Sequence, residues 1–377
     1  MKRKLRIVHC FRSPVGGIFR HVRDLVDAQV AAGHEVGIVC DSTTGGEFEL
    51  HRMAELESKL ALGLRRTAMQ RHIGPGDVAA AWRTYRLIKE LKPNVLHGHG
   101  AKGGAYSRLF GTLFRASRSR VARIYTPHGG SLHYDEASAT GRVIFVLERM
   151  LGRVTDQLLF VSDYELQTYI RKVGVPRPPY RLVYNGLRAD EFRPVATSPE
   201  AADFLYIGMM RDLKGPDLFI EALNEAAART GRRLTAAMVG DGADLPRYKD
   251  QAKRASERID VAFHPAVPAR EALGRGRVMV VPSRAEAMPY IVLEALAAGR
   301  PLIATAVGGI PEILGRDCIA LAEPTAKSLA ELMIGVMLDP DALRAAMPAQ
   351  ADLVARFSSE VMAKRIEAAY QQALGSQ

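Results

Sequence analysis

The stretch Leu5-Arg6-Ile7-Val8-His9-Cys10-Phe11-Arg12-Ser13-Pro14-Val15-Gly16-Gly17 decides how the chain folds. Its run Ile7-Val8-His9-Cys10-Phe11 is short, apolar and bounded by a Ser-Pro-Val-Gly-Gly turn, which predicts a buried strand. Behind the glycines, Ile18, Val22, Leu25, Val26 and Val30 recur on one helical face until Gly33 stops the pattern, and Glu35 to Cys40 reads as a second strand. A strand, a helix and a strand in that order build a parallel sheet. The pair Gly16-Gly17, between a strand's carboxyl end and a helix's amino end, lets backbone amides approach a phosphate; a glycine there serves equally well as a tight turn.

The same alternation runs to the end of the chain. Further strands are predicted at Val95 to His97, Ala122 to Thr126, Gln157 to Val161 and Arg181 to Tyr184. A second series follows at Phe204 to Ile207, Leu234 to Val239, Val261 to Phe263, Val278 to Val281, Leu302 to Thr305 and Ile319 to Leu321. The fold class is therefore α/β with two doubly wound units. Between the series, Asp190 to Glu200 holds Pro194 and Pro199 among small polar residues and reads as the linker. Ser358 is a candidate N-cap for a terminal helix with Val361, Met362, Ile366, Ala369 and Tyr370 on its apolar face. The domains expected are 1–195, 200–355 and a helix at 357–377.

With 377 residues, 47% of them apolar and 25% charged, the chain has ordinary globular composition and the length of two domains. Cys10, Cys40 and Cys318 are too few and too far apart for a disulfide framework or a thiolate zinc cluster, and suit a reducing cytosol. The amino-terminal run is too short and polar for a signal peptide, and the most apolar window, near Tyr290 to Ala298, is interrupted by Glu294. Residues 1–190 carry 30 Lys and Arg against 17 Asp and Glu, whereas residues 191–377 carry 22 against 24. The basic half, with Arg65, Arg66, Arg71, Arg115, Arg118, Arg120, Arg171 and Lys172 spread along it, fits an anionic surface or phosphorylated substrate, or else solvated faces. It lacks the interleaved aromatics of a nucleic-acid binder, so no nucleic-acid partner is expected.

Several strand ends carry chemistry. His97-Gly98-His99-Gly100 and Thr126-Pro127-His128-Gly129 place histidines among small residues, where a ring can face a cleft and bond a sugar, or sit as a satisfied core group. The His97-x-His99 pair also suggests a metal site, yet no neighbouring carboxylate or third histidine has evident ligand spacing; a metal-dependent hydrolase would use His97, His99 and His128. In the second series, Tyr206-Ile-Gly208-Met-Met-Arg211-Asp-Leu-Lys214-Gly215 offers two cations to a diphosphate, or a solvated basic turn. Gly240 and Val267 lie in later strand-end turns. The segment Pro282-Ser-Arg-Ala-Glu286-Ala287-Met288-Pro289-Tyr290-Ile-Val-Leu-Glu294 puts one carboxylate before a helix, as a possible cap, and another about two turns into it. Glu294 among leucines and alanines needs a partner, such as a ribose.

Taken in order, these motifs, with Val183-Tyr-Asn185-Gly186, Phe192-Arg-Pro194 and Gly308-Gly-Ile-Pro-Glu312, resemble the retaining family 4 glycosyltransferases, glycosyl transferases group 1, over nearly the whole chain. Within that family the chain resembles bacterial exopolysaccharide or lipopolysaccharide glycosyltransferases. The resemblance implies the GT-B fold: two Rossmann-like domains facing across a cleft, with the terminal helix crossing back to the first. It further implies a UDP- or GDP-sugar donor held by the second domain, a glycan acceptor held by the first, retention at the anomeric carbon and no cofactor or metal. By position, Lys214 would meet the donor diphosphate, His128 the sugar, Gly16 and Gly17 phosphate or acceptor, and Glu294 the ribose. Glu286, with Ala287, Met288, Pro289 and Tyr290, would line the sugar pocket. Where members of the family carry an arginine, this chain has Met209, and Arg211 is expected to reach the diphosphate instead. The acceptor expected is a polyprenyl-diphosphate-linked glycan, met by a cytoplasmic enzyme at an anionic membrane surface. Competing readings are a sugar-nucleotide epimerase of the same fold, a histidine-based metal-dependent hydrolase and a nucleic-acid binder.

Overall fold

The computed structural model describes residues 4–70 and 76–375; Arg71 lies outside them. The chain forms two compact units, Met1–Gly186 with Ser359–Gln377, and Leu187–Ser358.

The first unit runs β1 (Arg6–Phe11), α1 (Gly16–Ala31), β2 (Glu35–Asp41), α2 (Glu47–Glu57), β3 (Gly63–Thr67), α3 (Gly76–Leu91), β4 (Val95–His99), α4 (Gly100–Ala116), β5 (Ala122–Thr126), α5 (Ala139–Gly152), β6 (Gln157–Phe160), α6 (Asp163–Lys172) and β7 (Tyr180–Leu182). Its sheet has the order β3-β2-β1-β4-β5-β6-β7, and its strand pairs are parallel. Buried on both faces, such strands read as apolar runs, which is why β1, β2 and β5 were visible in the sequence. Strand β3, Gly63-Leu-Arg-Arg-Thr67, was not predicted. It is an edge strand, and Arg66 turns its guanidinium onto the carbonyls of Asp41 and Thr44, so no apolar alternation marks it.

The second unit runs β8 (Ala202–Ile207), α7 (Pro216–Thr230), β9 (Leu234–Val239), α8 (Leu245–Arg254), β10 (Ile259–His264), α9 (Ala269–Ala272), β11 (Gly276–Val281), α10 (Tyr290–Ala297), β12 (Leu302–Thr305), α11 (Ile310–Leu314), β13 (Leu321–Ala322), α12 (Ala326–Leu338), α13 (Pro340–Ala345) and α14 (Gln350–Phe357). Its parallel order is β10-β9-β8-β11-β12-β13. The segment expected as a linker instead packs into this unit: Val195 and Ser198 donate backbone bonds to Ala298 and Gly274, and Arg300 bonds the Val195 carbonyl and the Thr197 hydroxyl. The chain therefore divides at Gly186 and Leu187, upstream of the prolines.

The terminal helix, α15 (Ser359–Gly375), belongs to the first unit. Met362, Ile366, Ala369 and Tyr370 cover Leu5, Ile7, Val95, Ala122 and Ile124 at the amino-terminal half of that sheet. Among the described residues no helix is long and apolar enough to cross a membrane.

Candidate active site

In both sheets the strand order reverses between two central strands, β1 and β4 in one and β8 and β11 in the other. Beyond the carboxyl ends of such strands, open α/β sheets bind their ligands. Each unit places a polar cluster there.

In the first unit the cluster is histidine. His9 stands opposite His97 across β1 and β4, and His99 opposite Thr126 across β4 and β5. Side chains two apart on a strand share a face, so His97 and His99 continue the face that begins with the apolar Val95. His9 Nε2 meets Gln29 Oε1 at 2.9 Å, His9 Nδ1 meets His99 Nε2 at 2.9 Å, and His99 Nδ1 meets His128 Nε2 at 3.1 Å. A carbonyl oxygen only accepts, so His9 carries its proton on Nε2 and takes one from His99 on Nδ1; His99 in turn accepts from the Nε2–H of His128. The relay leaves His128 Nδ1 with its lone pair and no partner among the described residues. His97 is closed off by Tyr370 Oη at 2.7 Å and Thr126 Oγ1 at 2.8 Å. His21 donates from Nδ1 to Asn185 Oδ1 at 3.0 Å, its buried Nε2 has no hydrogen-bond partner among the described residues, and its ring lies 4.7 Å from that of His128.

Burial pushes all five imidazoles down, His9 and His21 to about 4 and His97, His99 and His128 well below the ordinary value. The cluster is neutral at pH 7. His128 is half-buried and takes the left-handed φ of 51°, a strained conformation held by Glu165, whose carboxylate accepts from the Gly129 and Val161 amides. Gly16 opens α1 at φ 63°; Gly16 and Gly17 are exposed, and no side chain caps the helix. Sequence reading found His97, His99 and His128. His9, Gln29, His21 and Glu165 were not picked out, and Asn185 only as part of the Val183-Tyr-Asn185-Gly186 motif, without a role. For metal chemistry the sets brought within ligand reach are His9, His97, His99 and His21, His99, His128, rather than the His97, His99, His128 trio the sequence suggested.

In the second unit the cluster is charged. Lys214 Nζ lies 2.6 Å from Glu286 Oε1, and Ser283 Oγ donates to the same oxygen at 2.7 Å. Lys214 is partly exposed and Glu286 is buried. The two turns touch through backbone: a Cβ on Gly215 would stand 2.0 Å from the Pro282 carbonyl oxygen, and one on Gly308 1.7 Å from that of Glu286. Only glycine allows these approaches. Arg284 locks the pair of turns, its amide bonding the Leu213 carbonyl at 2.9 Å and its guanidinium gripping the Asp217 carboxylate at 2.6 and 2.8 Å. Ser283, Arg284 and Asp217 were not assigned from sequence.

An ammonium has three protons and a carboxylate two oxygens. The Lys214 ammonium has one partner among the described residues, and Glu286 Oε2 has none. Glu286 was expected to be able to cap the following helix; it bonds no amide of α10, whose N-cap is Pro289. Arg211 is exposed, its guanidinium in no hydrogen bond or ion pair among the described residues, and Met209 is exposed two positions before it. Gly240 and Val267 follow β9 and β10 at the same edge of the sheet; Met288, Pro289 and Tyr290 are buried, while Ala287 and Glu294 are half-buried. A cavity of about 640 Å³, lined by Asp212, Asp217, Arg247, Arg284 and their neighbours, contains none of the residues picked from sequence.

These two sheets, each with its polar cluster at the reversal of strand order, define a pair of Rossmann-like domains. Residues 15–191 match the model of Glycosyltransferase Family 4, and residues 201–339 that of Glycosyl transferases group 1; the chain belongs to this family of glycosyltransferases. It is similar to the glycogen synthase of Mycobacterium tuberculosis, 26% identical over 93% of this chain and 89% of that protein. It is also similar to a D-inositol 3-phosphate glycosyltransferase of Segniliparus rotundus, 25% identical over 90% of this chain and 76% of that one. Among solved structures, Anabaena HepE in complex with UDP and glucose superposes with a TM-score of 0.77 at 15% identity, covering 97% of this chain and 99% of that one. That likeness is one of fold, the GT-B fold with its two Rossmann-like domains.

Proposed function

We propose that this chain is a retaining, metal-independent glycosyltransferase. It moves a sugar from a UDP- or GDP-sugar to a lipid-linked glycan in cell-surface polysaccharide synthesis, working at the cytoplasmic face of a membrane. The observation that carries this reading is the half-used ion pair of the second unit: Lys214 holds Glu286 at 2.6 Å with protons to spare, and Glu286 keeps one oxygen open. A cation with spare donors beside a carboxylate with a spare acceptor suits a diphosphate with a hydroxylated sugar attached. Lys214 neutralises the departing diphosphate, the charge stabilisation a divalent ion would otherwise supply, and the unpaired Arg211 adds a second cation in place of the arginine absent at Met209. Glu294 takes the ribose, the backbone near Gly240 and Val267 faces the base, and Ala287 to Tyr290 wall the sugar.

Glu286, bound to Lys214 and Ser283, positions the sugar rather than attacking it. The bond from the anomeric carbon to the diphosphate oxygen breaks as the acceptor oxygen bonds on the same face, and the acceptor's proton passes to the leaving phosphate oxygen. His128, with Nδ1 bare, accepts a hydrogen bond from a sugar hydroxyl, while Gly16 and Gly17 present amides to the acceptor's phosphate. The acceptor class is supported by the 30 basic against 17 acidic residues of the first 190, and the donor class by the UDP and glucose in the HepE complex.

The test is transfer from labelled UDP- and GDP-sugars to polyprenyl-diphosphate-linked glycans in EDTA, with the anomeric configuration of the product read by NMR. Transfer with the donor's configuration kept is expected; inversion, or dependence on added metal, overturns the reading.

A further inference from the structure

Helices α4 and α5 are apolar on two sides, and the fold covers only one. Their inner sides are core: Phe110 and Phe114 pack with Val8 and Val121, and Phe145 packs with Leu158 and Phe160. On the outside of α5, Val143, Val146, Leu147 and Met150 stand at the i, i+3, i+4, i+7 spacing of one helical face and are 60, 51, 41 and 54% exposed. On its neighbour α4, Leu109 and Leu113, one turn apart, are 48 and 52% exposed. Scattered single apolar residues on a surface need no explanation, but a contiguous stripe does.

The two helices are pinned to each other. Arg108 of α4 and Glu148 of α5, both buried, meet at 2.7 Å; Tyr125 Oη donates to the other Glu148 oxygen at 3.2 Å, and the Arg108 guanidinium lies 3.9 Å from the centre of the Tyr125 ring. Charge around the stripe is mainly basic, the exposed acids nearest α5 in sequence being Asp135 and Glu136, ahead of its first turn. Helix α4 has no acidic residue, and the single one of α5 is Glu148, buried against Arg108. Arg142, Arg149 and Arg153 are exposed along α5 and just past it, and Arg118 and Arg120 just past α4. Apolar side chains on helices that carry exposed arginines and no exposed carboxylate complement a bilayer of anionic phospholipids, where the apolar chains enter the acyl boundary and the arginines meet headgroup phosphates.

We infer that the α4–α5 face seats this protein on an anionic phospholipid bilayer, with the stripe Val143, Val146, Leu147, Met150 as its inserted edge. Ser138, which caps α5 by accepting from the Gly141 amide at 2.9 Å, lies ten residues after His128 on the same segment. The lipid surface and the histidine of the sugar site thus belong to one stretch of chain, as an enzyme with a lipid-linked acceptor requires. The inference rests on that acceptor reading for its purpose, but docking is measured without turnover, so either can fail alone.

The experiment is vesicle flotation of the full chain, with phosphatidylcholine vesicles and vesicles containing about a third phosphatidylglycerol, for the wild type, Val146→Asp with Met150→Asp, and Arg142→Ser with Arg153→Ser. All substituted positions are exposed, and unchanged melting curves check that each variant is folded. The wild type floats with the anionic vesicles. The Asp pair weakens that partition at least tenfold, and the Ser pair weakens it and flattens its dependence on lipid charge. Binding of the Asp pair equal to wild type, or no flotation of the wild type, overturns the inference. So does light scattering that shows a wild-type dimer made monomeric by the Asp pair, since the stripe would then face a second copy of the chain.

Discussion

The two polar clusters occupy equivalent places in two similar sheets, and they are built from opposite chemistry. In the first unit five imidazoles, four of them buried and His128 half-buried, are neutral and bonded within the cluster or to Gln29, Thr126, Tyr370 and Asn185. In the second a lysine and a glutamate form an ion pair that leaves donors and an acceptor open. Neutral rings in a dry setting recognise hydroxyl groups without drawing anions, whereas a partly exposed cation recognises phosphate. Topology fixes where a ligand binds, and the few residues at the strand ends fix which ligand.

The comparison breaks most sharply at Lys214. Lys214→Ala should cut turnover by about 100- to 1000-fold, roughly 3–4 kcal/mol of transition-state stabilisation, and weaken nucleotide binding with it; steady-state kinetics and nucleotide titration read both. Next is the neutral cluster. His128→Ala should lower turnover by roughly 10- to 100-fold while nucleotide affinity stays unchanged, because the loss falls on sugar recognition in the other unit. If both affinity and turnover fell alike, the division of labour between the clusters would be wrong.

The buried imidazoles also set a pH dependence. An unfolded histidine titrates near 6.5, and His9 and His21 in the folded chain at about 4, so between those values the unfolded chain binds more protons. Stability is therefore full above pH 6.5 and falls as the pH drops towards 4, by up to about 1.4 kcal/mol per pH unit for each histidine. Urea midpoints measured from pH 7.5 to 4.5 should decline accordingly; a flat profile would mean that the rings are not held neutral. The smallest effect is at Arg211, where Ala should weaken nucleotide binding a few-fold. If Arg211→Ala left affinity and turnover unchanged while Lys214→Ala abolished turnover, Arg211 would not stand in for the arginine missing at Met209.

Much of the fold was legible because parallel strands buried on both faces read as short apolar runs between helical patterns. What escaped had no local signal. Edge strand β3 is written with two arginines, and the prolines at 194 and 199 mark a segment packed on the second unit instead of a free linker. In the site, His97, His99 and His128 sit at or just beyond strand ends among glycines that advertise them. His9 lies inside an apolar run and meets His99 from 90 residues away, a pairing that only the register of β1 on β4 creates. His21 and Asn185 are 164 residues apart. Lys214 and Glu286, 72 apart, were both legible because each sits in a distinctive turn, but the bond between them was not.

The central claim is a metal-free diphosphate site at Lys214. The measurement that tests it most directly is a thermal-shift panel of UDP, GDP, ADP and CMP in EDTA, on the wild type and Lys214→Ala. A ligand binding only the folded state at 100 times its dissociation constant adds about 2.7 kcal/mol of stability. The account predicts a clear rise in melting temperature with UDP or GDP for the wild type, lost in the variant. No rise with any nucleotide until zinc or manganese is added, or a rise that survives the loss of Lys214, would contradict it.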